Sequence, residues 1–182
     1  MSNFSIPTLN DVSPANQAIF DKLESQLGFV PNLYATFANS DNALGSYLAF
    51  QGAKSSLKAK EREAINLIVS QVNTCDYCLA AHTALGKMNG YTDEQIIEIR
   101  QGGASFDAKL DALVKFAEQT TIQRGKPDAS TVENFLAAGY TKENLIDAIV
   151  VIGDKIVSNF VHGVTQVAID FPVAPALNLQ EA

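Results

Sequence analysis

The chain of 182 residues has no tryptophan, and only two methionines, two histidines and two cysteines. It has no long apolar run either. Stretches such as "AIVVIG" are far too short to cross a bilayer, so no membrane partner is expected. The N-terminus "MSNFSIPTLN" lacks a basic region followed by an apolar segment, which excludes a recognisable secretory signal and predicts a soluble cytoplasmic protein. Basic residues are in deficit, 13 against 20 acidic ones, for a net charge of −7. That balance argues against a nucleic-acid partner. No G-x-G-x-x-G or other flavin, haem or nicotinamide motif is present, so no cofactor is expected. Alternating strand patterns are absent, and two cysteines cannot make a disulfide scaffold.

What is there reads as helix after helix. The length suits one domain, 1–182, with a core of its own. Ser13-Pro14 opens a first helix carrying Ile19, Phe20, Leu23 and Leu27, and Gly28 ends it. A short Pro-initiated helix follows Val30, and Asp41 is the expected cap of another bearing Leu44, Tyr47 and Leu48. Residues 58 to 72 place Ile65, Ile68, Val69 and Val72 at helical spacing. A new helix is expected from Cys75, capped by Asn73 or Thr74, to about Lys87. Thr92 to Gln95 and Ser130 to Glu133 are capping-box patterns, and Leu110 to Ala117 marks a helix ending near Gly125. Thr141 caps a last helix running to about Val167. The fold class is all-α, which excludes a thioredoxin fold. A shift of 80 residues lays Glu63 on Glu143 and His82 on His162, an echo that raises a duplicated helix pair whose second copy lacks the thiols.

The chemistry concentrates in "NTCDYCLAAH", residues 73–82. Cys75, Cys78 and His82 stand at i, i+3 and i+7, within about 60° of arc on a helix. Thiols at that spacing can close a disulfide. A helix N-terminus and an adjacent imidazole both favour thiolate, the reactive form, and the dipole alone prefers Cys75. A structural zinc site needs four ligands and would have to recruit His162 and carboxylates, so no metal is expected. Glu63 lies about 180° from the Ile65–Val72 stripe and, by periodicity alone, belongs to a solvated surface. Asn159 and His162 sit on the last helix, in core or capping roles or reaching a neighbouring subunit's site.

"EREAINLIVSQVNTCDYCLAAHTALGKMNGYTDEQI" resembles the core motif of the alkylhydroperoxidase D family, within the carboxymuconolactone decarboxylase-like superfamily. The pattern is a glutamate, a cysteine twelve positions later, then C-x-x-C-x-x-x-H, here Glu63, Cys75, Cys78 and His82 in a core of about 58–100. "GFVPNLYATFANSDNALGSYLAF" and "AAGYTKENLIDAIVVIGDKIVSNFVHGVTQVAIDFP" are similar to flanking segments of the peroxidase-related branch. The resemblance implies a homotrimer or hexamer whose dithiol reduces hydrogen peroxide or small organic hydroperoxides through a sulfenic acid and a disulfide. It implies Cys78 as the attacking sulfur, Cys75 as the resolving one, His82 as base and Glu63 in a proton relay. A lipoyl domain, a thioredoxin-like protein or a small thiol would be the dithiol reductant. Some members carry a histidine between the cysteines, where this chain has Tyr77, which cannot serve as a neutral-pH base. Three rivals remain: a disulfide reductase or thiol carrier, a lactone decarboxylase-like enzyme, and a non-catalytic module with a structural metal.

Overall fold

A computed structural model describes residues 4–177. Among them the structure is all-helical: after a 3-10 turn at Leu9–Asp11 come α1 (Pro14–Leu27), α2 (Asn32–Phe37), α3 (Ala43–Gln51), α4 (Ala59–Val72), α5 (Asp76–Met88), α6 (Asp93–Arg100), α7 (Ala108–Ile122), α8 (Ala129–Ala137) and α9 (Lys142–Thr165). None of these helices is long and apolar enough to cross a membrane.

The axis of the fold is α4, around which α5, α6, α7 and α9 pack. Its residues from Ala64 to Ser70 are all buried, so a stripe of one-sided amphipathicity does not describe it. Ile65, Leu67 and Ile68 join Ile96, Ile99, Leu113, Phe116, Phe135 and Ile152 in one apolar cluster. Phe135 lies between Phe116 and Tyr140, with ring centroids 4.7 and 4.5 Å away. A second cluster gathers Phe20, Leu33, Phe37, Leu44 and Tyr47 from α1–α3 with Cys75, Tyr77 and Cys78. The dithiol therefore sits where the N-terminal helices meet the α4-centred core.

Several helix ends are as the sequence reads. Ser13 Oγ accepts from Asn16 N, Pro14 is the first helical residue, and Gly28 closes α1 at φ 80°, a left-handed value that glycine adopts without strain. At α9, Thr141 Oγ1 accepts from Asn144 N at 3.1 Å, and Asn144 Oδ1 accepts from Thr141 N at 2.9 Å. Thr141→Ala removes the first of these bonds from an exposed helix start. It is expected to lower unfolding stability by about 1 kcal/mol, read from a urea midpoint at unchanged m-value.

Other ends differ. Asp41 does not cap α3; Ser40 Oγ accepts from Asn42 N and Ala43 N instead. The Ser130 capping box is not formed, because α8 has already begun at Ala129 behind Asp128. Residues 143–162, expected as a possible helix pair, form part of one unbroken helix, α9, so the 80-residue echo does not repeat the turn between α4 and α5.

After α9 the chain runs back as an extended strap. Asp170 Oδ2 accepts from Asn32 N at 2.6 Å, at the start of α2, and Pro175 O accepts from Arg100 Nη1 at 2.7 Å. Phe171 packs edge-on against Tyr77 and Phe29. The strap thus lies over the beginning of α5.

Candidate active site

The turn between α4 and α5 sets the dithiol. Thr74 takes a left-handed φ of 52°, and the chain re-enters helix at Asp76, so Cys75 rather than Asn73 or Thr74 is the N-cap. Its sulfur accepts from Cys78 N at 3.4 Å, which draws the two cysteines together over the first turn. Both are free thiols and both are buried, Cys75 3% and Cys78 2% exposed.

Glu63 is not a solvated surface residue. Its Oε2 lies 2.8 Å from His82 Nδ1, and its Oε1 accepts from Asn66 Nδ2 at 3.1 Å. The glutamate of α4 is thereby joined to the histidine of α5 across the contact between the two helices. Burial pushes the Glu63 carboxyl up, but His82, Lys155 and Asn66 more than offset it and leave its pKa below the usual value. Glu63 is therefore a carboxylate throughout the neutral range.

The other imidazole nitrogen, His82 Nε2, lies 3.0 Å from Lys155 Nζ. An ammonium has no lone pair and can only donate, so Nε2 accepts and the ring proton stands on Nδ1, donated to Glu63. The expected geometry, with His82 facing a cysteine directly, is thus altered: a lysine from α9 occupies its acceptor nitrogen. Burial disfavours the Lys155 ammonium, but Asp154, Cys78, Tyr34 and Glu63 around it raise its pKa nonetheless.

The two thiols are not equivalent. Cys78 is pulled down to about 6, first by the hydrogen bond from Cys75, then by Lys155, His82 and Asn159, against the opposing effect of burial. The Cys75 thiol, as donor in that bond and buried beside a thiolate, is pushed up. The dipole-based preference for Cys75 is overturned because the sulfurs share one proton, and the cationic side of the site faces Cys78.

Tyr77, between the cysteines, is a strut. Its hydroxyl oxygen accepts from Leu33 N at 3.1 Å at the start of α2, and its ring packs against His162 and Phe171. Asn159 reaches the dithiol within the same chain. Its Oδ1 accepts from Asn73 Nδ2 at 2.9 Å, and its Nδ2 donates to Ser70 Oγ at 3.4 Å. His162 Nε2 lies 3.2 Å from Val167 O, away from the Glu63–His82 pair. Among the described residues no cluster of three His, Cys, Asp or Glu side chains could hold a metal ion, and His82 has both nitrogens engaged.

Lys155 is the residue that periodicity missed. The available signal was its spacing: Ala148, Ile152, Lys155, Asn159 and His162 follow one another at steps of four and three, and all are buried.

Residues 31–119 match the carboxymuconolactone decarboxylase family. No curated protein matches the chain. Among solved structures, an uncharacterized peroxidase-related protein with an alkylhydroperoxidase AhpD core, from Ralstonia eutropha JMP134, aligns with a TM-score of 0.84 at 20% identity over 93% of this chain and 92% of that one. A second uncharacterized peroxidase-related protein, from Silicibacter sp. TM1040, aligns at 0.77 and 22% identity over 92% of this chain and 91% of its own. The debrominase Bmp8, solved with 2,3,4-tribromopyrrole, aligns at 0.76 and 16% identity over 93% of this chain and 94% of its own. At these identities the likeness is one of fold.

Proposed function

We propose, from the premise that this chain belongs to the alkylhydroperoxidase D-like, carboxymuconolactone decarboxylase-like superfamily, that it is a dithiol peroxidase acting on hydrogen peroxide or small organic hydroperoxides. The observation that carries the reading is the asymmetric, buried Cys75–Cys78 pair beside Glu63–His82. The Cys78 thiolate attacks one peroxide oxygen. The O–O bond breaks, its electron pair leaves with the other oxygen, and that oxygen takes up the proton Cys78 had released. Cys75 then attacks the Cys78 sulfenic acid and expels hydroxide, which leaves as water with the Cys75 proton. Two thiols and a hydroperoxide thus give a disulfide, an alcohol and water, and an external dithiol resets the pair.

Burial supports a small substrate over a protein disulfide, since neither sulfur presents a surface to a folded partner. It also favours a lipoyl arm or a small thiol as reductant over the broad face of a thioredoxin-like protein. The reading assigns the chain to the cytoplasm, where thiols are kept reduced. It includes a homo-oligomer, trimer or hexamer, held through the outer face of α9, which carries exposed Ile146, Val157, Phe160 and Val164.

The test is stoichiometric. One equivalent of cumene hydroperoxide should consume both thiols and remove two hydrogens from the protein mass. Thiols that persist with hydroperoxide yet exchange with a protein disulfide, or turn over a brominated pyrrole faster, would sink the peroxidase reading.

Glu63→Gln keeps an acceptor for His82 Nδ1–H and removes only the charge. It is expected to cost about 10²-fold in peroxide turnover with the fold intact. A loss smaller than about threefold in steady-state assays would exclude Glu63 from the relay.

A further inference from the structure

The inner face of α9 is polar just where it meets the dithiol. Lys155, Ser158, Asn159 and His162 are all buried there, and Lys155 is 2% exposed. An ammonium is a costly group to bury without partners, and this one has two. Its nearer partner is an imidazole nitrogen and not a carboxylate: His82 Nε2 at 3.0 Å, against 3.5 Å for Asp154 Oδ2. Asp154 Oδ1 is buried with no hydrogen-bond partner, so the carboxylate neighbouring Lys155 does not close around it as a dedicated counter-ion.

We propose that Lys155 is a positioning residue of the redox site, whose buried ammonium locks His82 in the Nδ1–H tautomer and sets a fixed positive charge in the wall behind the dithiol. The inference rests on Cys78 as the reacting sulfur and goes beyond the Glu63–His82–dithiol set. With Glu63 on one nitrogen and Lys155 on the other, the imidazole is held at both ends. One turn further along α9, Asn159 faces both sulfurs and is itself anchored by Asn73 and Ser70. α9 thus forms the second wall of the site, and its buried lysine brings a fixed positive charge there.

Charge bookkeeping explains why a lysine is needed. Glu63 and Asp154 are acidic, Tyr34 from α2 faces the ammonium, and Tyr47 from α3 faces Asp154. Ionising Cys78 adds a third negative charge to a buried pocket. Without Lys155 the two carboxylates would repel the thiolate, and His82, whose Nδ1 faces Glu63, would have to offset them alone.

The experiment is the pH dependence of iodoacetamide alkylation at Cys78, located by peptide mass, in wild type, Lys155→Met and Lys155→Arg. It needs no peroxide, so it separates this inference from the peroxidase reading. The wild-type midpoint is expected near the value of about 6 set by the site. Lys155→Met should raise it by about one unit or more, and Lys155→Arg, which keeps the charge, should return most of the shift. A folded Lys155→Met protein with an unchanged midpoint overturns the proposal. If Lys155→Met does not fold, Asp154→Asn decides: freeing the ammonium from its carboxylate should lower the midpoint, and an unchanged or raised midpoint overturns the proposal equally. Shifted alkylation in a protein that ignores peroxides would leave Lys155 in place and remove the peroxidase.

Discussion

Replacing Cys78 with serine is expected to reduce hydroperoxide turnover roughly 10³-fold or more, to the level of buffer, because the variant loses the sulfur that the cationic side of the site faces and cannot form the disulfide. Cys75→Ser should fail differently. Its Cys78 meets one peroxide, gains the mass of one oxygen as a sulfenic acid, and stops for want of a resolving thiol. The asymmetry comes from the turn: Cys75, at the N-cap, accepts the Cys78 amide and gives its own thiol proton toward the neighbouring sulfur. Lys155, His82 and Asn159 stand on the Cys78 side of that shared proton. Because the Cys78 pKa is lowered to about 6, the single-turnover rate should fall as pH drops through that value and stay level above it. Mass analysis of both variants after one equivalent of hydroperoxide reads the order of attack. A sulfenic acid trapped on Cys75 in the Cys78→Ser protein, with Cys78 inert in the other, would reverse the assignment.

How much of this was legible varies by residue. The helices were, because Ser13-Pro14, Gly28, Thr92 and Thr141 are local signals that tertiary packing does not override. The caps that failed, at Asp41, Thr74 and Ser130, each have a competitor within two residues: Ser40, Cys75 and the earlier start at Ala129. The Glu63, Cys75, Cys78 and His82 grouping was legible from motif spacing, and the structure brings those four to one place. Periodicity alone argued against Glu63, since it assumes that a helix opposite its apolar stripe meets water. α4 has no such side over its buried middle, where α5 supplies a histidine instead. Lys155 was invisible for the same reason reversed. A lysine on a helix rich in apolar residues reads as its solvated face, and only the packing shows that the second half of α9 turns its polar residues inward.

That inversion leads to the second large effect expected. Ile146, Val150, Gly153, Val157, Phe160 and Val164 recur along α9 at alternating steps of four and three, the spacing of a helix–helix seam. They stand opposite Ala148, Ile152, Lys155, Asn159 and His162. The apolar members point outward, with Phe160 62% and Val164 74% exposed. Covering a face of this kind contributes about 1.5–3 kcal/mol for each large side chain removed from solvent. The proposed cover is a second copy of the chain, since every copy presents the same seam and the net charge of −7 lies elsewhere than on these residues. Wild type is therefore expected to elute as a trimer or hexamer by light scattering. A Val157→Glu, Phe160→Glu double variant should run as the 19.5 kDa monomer. The same helix carries Lys155 and Asn159, one or two positions from the altered residues, so losing the seam should also loosen the wall behind Cys78. Monomerisation is expected to bring a several-fold loss of peroxide turnover together with faster alkylation of both thiols. A double variant that keeps the wild-type mass would place the interface elsewhere on the molecule. One that becomes monomeric at full activity would show that α9 holds the site without its partner.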